Sequence, residues 1–301
     1  MDVLKLRQLA IIIKYGSFAG AADALGISQP ALSKSIRSLE QGLGVQLLER
    51  GRFGALPTQF GLALARHADA VDAELRTAAE TIASLKSAKT GHLRIGCGPS
   101  EATRLLPMAL RRIGLQSPGI KVTVLYGLNE ALTPMVKHGE VDFALSSIST
   151  QSTDPDIKQI PLHEDSAAVI ARPMHPLLAQ RKPLHAQQLL DQQWVLARHH
   201  ELERRALDDL FHQSALQPPE ATIETTSAVL MKSVVMQSDF LTFLPRELIF
   251  WEERAGQLRA LKLIAPSWRR VVGVTMRARS APSPSADAMI NELKRAASEF
   301  T

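Results

Sequence analysis

The chain of 301 residues has one cysteine, Cys97. An internal disulfide and any cysteine-based zinc cluster are thereby excluded, and the usage suits a reducing compartment. Long apolar runs are also missing. No stretch approaches the roughly 20 apolar residues of a membrane span. The apolar start is interrupted by Lys5, Arg7 and Lys14 and has no small-residue cleavage site, so it does not read as a secretion signal. A cytoplasmic protein with no membrane partner is expected. Charge is only mildly one-sided: the formal balance of +5 permits a nucleic-acid partner without requiring one. The nine histidines are scattered, and the pair His199-His200 has no acidic or cysteine neighbour at metal spacing. No P-loop and no G-x-S-x-G elbow occurs, and "GCGPSEA" lacks the third glycine of a dinucleotide turn. No metal or cofactor is implied, and a binder is expected rather than an enzyme. Cys97 ends a strand pattern and reads as a structural thiol without a resolving partner.

What is present points to two domains and a connector. Apolar residues make up 45% and charged residues 22%, as in globular proteins. Residues 3–14 place Val3, Leu6, Leu9, Ala10 and Ile13 at helical spacing. Ser17 reads as the N-cap of a short helix over 18–25, and Gly26 suits its C-terminal cap. Ser28 caps a second helix, with Pro30 tolerated in its first turn. Two helices joined by so short a turn are the sign of a helix-turn-helix. In the second helix Leu32, Ile36, Leu39 and Leu43 form one stripe. Gln29, Ser33, Arg37 and Gln41 form the opposite one, beside Lys34. Gln, Ser and Arg can read base edges, and a proline ring can touch a thymine methyl. A plain solvated face is the alternative. Residues 45–61 read as a β-hairpin wing carrying Arg50 and Arg52, which can meet phosphate or a narrow minor groove.

The stretch "FAGAADALGISQPALSKSIRSLEQGLGVQLLER" resembles the winged helix-turn-helix of LysR-type transcriptional regulators over about sixty residues. The resemblance implies that Gln29, Pro30, Ser33 and Lys34 face the major groove of double-stranded DNA, with Arg50 and Arg52 in the wing; Ser28 and Arg37 of the same helix are expected to bind DNA with them. Many members carry arginine then glycine at the wing tip and leucine before the threonine. Here Phe53-Gly54 and Pro57 stand in those places.

Residues 59–88 hold no proline, and Gly61 is their only glycine. Leu64, Ala68, Val71, Leu75, Ala78, Ile82 and Leu85 alternate in steps of four and three, a heptad seam that argues for a coiled-coil dimer. The family's linker helix dimerises at the same place, and the resemblance implies a homodimer assembling into a homotetramer.

From about residue 92 strand and helix patterns alternate. "HLRIGCG", "IKVTVLYG" and "VDFALSS" read as parallel strands separated by helices near 100–114 and 129–138. "SAAVIA", "QWVLAR", "ATIETT" and "FLTFLP" form a second series, and "RRVVGVTMRA" with a helix over 284–299 returns to the first. The expected architecture is α/β. It has a winged helix-turn-helix (1–58), a linker helix (59–88) and an effector domain (92–301) of two lobes, about 92–162 with 267–301 and about 163–266. The family resemblance implies an effector domain similar to periplasmic solute-binding proteins. Ligands in such sheets bind beyond the strand carboxyl ends, which here carry Ser100, Thr103, Asn129, Ser146, Arg198, His199, Thr226, Ser227 and Phe243. These residue types suit a small polar, possibly anionic, effector. The resemblance implies that the effector shifts the lobes and alters DNA bending or contact with RNA polymerase. A solute-binding or enzymatic α/β protein with an appended interaction domain is the alternative.

Overall fold

The structure is a computed structural model that describes residues 2–51, 54–85, 90–149, 153–179, 182–264 and 268–300. It begins with three helices, α1 (Val3–Tyr15), α2 (Phe18–Leu25) and α3 (Gln29–Leu43). Hydroxyls set their starts. Ser17 accepts from Gly20 N and Ser28 from Ala31 N, covering donors the first turn leaves open. Gly26 closes α2 at φ 65°, where a side chain would be strained, and so allows the tight turn into α3. Leu9, Ile12, Ala21, Ala22, Leu32, Ile36 and Leu39 form one core with the wing residues Leu47, Leu48 and Ala55. The buried face of α1 runs through Leu6, Leu9 and Ile12, whereas Val3 is exposed and Ile13 half-buried. Leu43 lies outside the core at 40% exposure, because α3 outruns the helices beneath it.

The wing is a hairpin of β1 (Leu48–Gly51) and β2 (Gly54–Pro57), antiparallel with Leu48 opposite Pro57. Glu40 on α3 accepts from Leu47 N at 2.8 Å and Leu48 N at 3.2 Å, fixing the wing to the end of that helix. Thr58 then accepts from Gly61 N and opens α4 (Gln59–Leu85).

The α4 helix lies on α1, with the pair Arg7–Asp72 at 2.9 Å. Further along, its other face meets the C-terminal part of the chain. Arg76 donates to Gly139 O at 2.8 Å, Ser285 donates to Glu80 at 3.0 Å, and Ala73 is buried. The heptad seam is therefore divided. Ala68 is buried within the chain and Leu64 packs against the winged-helix core, whereas Leu75 (48%) and Ile82 (57%) are exposed beside Ala78.

The C-terminal part is built on β3 (Thr90–Cys97), α5 (Leu105–Gln116), β4 (Gly119–Tyr126), α6 (Asn129–Lys137), β5 (Phe143–Ile148) and β6 (Ile157–Ala171). There follow β7 (Val195–Leu196), α7 (Leu202–Gln213), β8 (Ile223–Glu224), α8 (Ala228–Gln237), β9 (Thr242–Pro245) and α9 (Phe250–Arg254). The chain closes with β10 (Arg259–Ala260), β11 (Arg269–Arg277) and α10 (Pro284–Ala297). The main sheet runs β10-β6-β11-β5-β3-β4, and β9 also pairs with β6. The first three strands pair in parallel as expected, but β11 joins β5 and β6 antiparallel. The second series does not begin at Ser166. One continuous strand, β6, pairs with β11 over its first ten residues and with β9 and β10 beyond, so a single strand passes from one lobe to the other.

In the first lobe Leu93, Ile95, Phe143, Leu145 and Val274 pack under α5 and α10. Leu132 and Val136 of α6 cover the other side of the sheet. In the second lobe Trp194, Leu207, Phe211 and Leu241 form one cluster, and Ile170, Val195, Met231, Val235 and Leu258 another.

Candidate DNA-reading face and interlobe cleft

The buried positions of α3 pack into the core it shares with α1, α2 and the wing, which leaves the opposite side open. Ser28, Gln29, Pro30, Lys34 and Arg37 are exposed, and Ser33 is half-buried. They run from the N-cap of α3 to its middle, the part a helix-turn-helix inserts into a major groove. Arg50 lies in β1 opposite Ala55, and Arg52 falls outside the described residues.

The second site is a cavity of about 380 Å³ between the lobes. One wall comes from the turn after β3, the start of α6 and the end of β5. The other comes from the starts of α7 and α8 and the end of β9. Ser100, Asn129, Ser146, Arg198, Thr226 and Phe243 are brought together there from both lobes. Thr103, His199 and Ser227 are not among the lining residues. Thr103 donates to Pro99 O, and its carbonyl accepts from Trp251 Nε1 at 3.2 Å. His199 is exposed with Nδ1 3.7 Å from Asp208, and Ser227 caps α8 through Leu230 N.

Ser100 does not open α5, which starts at Leu105. Residues 99–104 form tight turns in which Ala102 N donates to Gly98 O and Thr103 N to Ser100 O. The Ser100 residue is only 4% exposed and lines the cavity.

Sequence reasoning missed the charged floor. Arg270 on β11 is buried and meets three carboxylates. These are Asp165 at 3.0 Å, Glu101 at 3.2 Å and Glu203 at 3.2 Å. Glu101 sits in the turn after β3 and Glu203 in the first turn of α7, so one guanidinium ties the two lobes together. Burial alone would lower the Arg270 pKa, but the three carboxylates hold it raised and the cation charged. Burial pushes the Glu101 pKa up, against the pull of Arg270. These partners stand up to 169 positions apart in the chain, and no local pattern marks such a pairing.

A second tie lies beside the first. The Arg104 guanidinium stacks between Phe250 at 3.9 Å and Phe300 at 3.8 Å and pairs with Glu247 at 3.4 Å. The turn that offers Ser100 to the cavity is thus held by the second lobe through Arg104 and Thr103. Cys97 is fully buried, and burial pushes its thiol pKa up, away from the reactive thiolate.

Comparison with known proteins gives the same division of the chain. Residues 4–62 match the model for bacterial regulatory helix-turn-helix proteins of the lysR family, and residues 86–298 match the LysR substrate binding domain. The chain is 33% identical over 295 residues to the SDS degradation transcriptional activation protein of Pseudomonas sp. (strain ATCC 19151). That alignment covers 96% of this chain and 94% of the relative. In fold it is similar to full-length OxyR from Pseudomonas aeruginosa, with a TM-score of 0.71 and 21% identity over 99% of this chain and 94% of that one. It is likewise similar to full-length CbnR complexed with its target DNA, with a TM-score of 0.68 and 17% identity over 98% of this chain and 100% of that one. With both family models matched and the relative aligned nearly end to end, the chain belongs to the LysR family of ligand-responsive transcriptional regulators, with an N-terminal helix-turn-helix that binds DNA and a C-terminal effector-binding domain.

Proposed function

We propose that the N-terminal half of α3 reads bases in the major groove through Gln29, Ser33 and Arg37, with Pro30 and Lys34 beside them. Ser28 and the wing arginines Arg50 and Arg52 meet the backbone. The protein works as a dimer joined along α4, two dimers form a tetramer, and the assembly reports to RNA polymerase. A small effector occupies the interlobe cavity, held by Ser100, Asn129, Ser146, Arg198, Thr226 and Phe243. The units divide at 1–58, 59–88 and 92–301, and the protein acts in the cytoplasm by binding rather than catalysis.

One observation carries this reading. The exposed polar start of α3 and the cavity between the lobes lie in one chain, joined by a helix that touches both parts. CbnR, similar in fold, has been seen with its target DNA. The test is fluorescence anisotropy of the full-length protein on DNA from its own promoter and on random duplex. Specific binding at least about a thousandfold tighter is expected. Equal affinity for both would contradict it.

A further inference from the structure

We propose that Gln8 of α1 is a positioning residue for DNA reading: it fixes the roll of α3 about its own axis and so decides which bases Gln29, Ser33 and Arg37 reach. This rests on α3 being the base-reading helix.

Gln8 is the one polar side chain on the buried face of α1. It is 6% exposed and stands among Leu6, Leu9 and Ile12. A buried amide costs free energy unless it is hydrogen-bonded, and a leucine there would cover the same core without that cost. The Gln8 Oε1 accepts from the hydroxyl of Ser35 on α3. One turn earlier in α1, Lys5 Nζ donates to Ser38 Oγ at 2.9 Å. The two pairs are rungs from successive turns of one helix to successive turns of the other. The Lys5 rung is exposed, where water replaces it at little cost, so the partly buried Gln8 rung carries the constraint.

The place of Ser35 gives this rung its effect. Leu32, Ile36 and Leu39 form the buried stripe of α3. At about 100° per residue, Ser35 and Ser38 fall on one flank of that stripe, and Gln29, Ser33 and Arg37 on the other. Apolar packing is non-directional. It holds the stripe inward and leaves the helix some freedom to roll. A hydrogen bond has a length and an angle and removes that freedom. A roll of about 15° moves side-chain tips roughly 6 Å from the axis by about 1.5 Å, enough to break a base contact. The α1 helix is itself packed along α4 and paired to it through Arg7–Asp72, so the roll is set relative to the linker helix.

The test uses the full-length protein with promoter DNA and a random duplex of equal length, with binding read by anisotropy and folding by melting temperature. Gln8→Leu removes the acceptor and keeps the bulk. It should lower promoter affinity about tenfold, change random-duplex affinity less than about twofold, and leave the melting temperature within a few degrees. Ser35→Ala removes the donor from the other side and should give the same result, so the test does not depend on one variant folding. The double variant should lose no more than either alone. Gln29→Ala should cost about tenfold on promoter DNA in the wild type and less than about twofold in the Gln8→Leu background, a coupling that a merely structural role would not produce. An unchanged ratio of promoter to random affinity in folded Gln8→Leu or Ser35→Ala would overturn the positioning role. So would the full wild-type cost of Gln29→Ala in the Gln8→Leu background. A Gln29→Ala protein that keeps the wild-type ratio would instead overturn base reading by α3 itself.

Discussion

At the scale of single residues, geometry divides the polar side chains into those that face outward and those closed in by neighbours. Gln29 is exposed on α3 and contributes nothing to the core beneath it. Gln29→Ala should weaken the specific DNA complex by about 1–3 kcal/mol and the random complex little, as read by competition anisotropy. Equal losses on both would contradict base reading. Arg270 is the opposite case. Arg270→Gln strands three carboxylates around a neutral amide, and a loss of about 3–5 kcal/mol in the denaturation midpoint is expected. The loss should depend on pH with a definite sign. Burial already raises the folded pKa of Glu101. A raised folded pKa gives stability that is full below the unfolded value, near 4.3, and disappears as pH rises through the folded one. The variant should therefore regain stability as the pH falls from neutral toward that unfolded value. Melting curves that instead fall over that window would remove the charge account. Ser100 and Asn129 were legible from the sequence because strand ends and helix starts have local signatures. Arg270 was not, because its meaning lies in partners far along the chain.

At the scale of elements, caps and short turns made the helix-turn-helix legible almost to the residue. α2 and α3 start at the two serines that the sequence marks as caps. The long strand β6 was harder. Its first half carries Lys158, Gln159, Pro161, His163 and Glu164, which give no apolar run, because that half is held by backbone pairing to β11. The linker shows a different gap. A heptad seam reads as one continuous surface, yet Ala68 faces the chain's own helices while Leu75 and Ile82 face outward. Replacing Leu75 and Ile82 together by Asp should leave the melting temperature of each half within a few degrees of the wild type and abolish the dimer. An unchanged sedimentation coefficient would contradict pairing along α4. The turn after β3 has its own test. Arg104→Ala removes a guanidinium stacked between two rings and its ion pair with Glu247. A loss of about 1–3 kcal/mol is expected in chemical denaturation. No change would show that the contacts across the lobes carry little energy.

At the scale of the whole molecule, the parts form one mechanical series. The α3 helix rests on α1, α1 on α4, and α4 on the first lobe through Ala73, Arg76 and Glu80. The first lobe reaches the second through β6, Arg270 and Arg104. A ligand that draws the lobes together thus acts at one end of a chain of packed elements with a DNA-reading helix at the other. The order of domains was legible in composition and periodicity. The strand-end residues of the cavity wall were legible, but its charged floor was not, because it is assembled from segments far apart in the chain that only the tertiary fold brings together. The central claim is that cleft occupancy changes how the protein holds DNA. The most direct measurement is a footprint of the full-length protein on its promoter, with and without a saturating cleft ligand, in wild type and in Thr226→Trp. A footprint that changes length or pattern with ligand in the wild type and stays fixed in the variant is expected. A footprint identical with and without ligand in the wild type, or one that still responds in the variant, would contradict it.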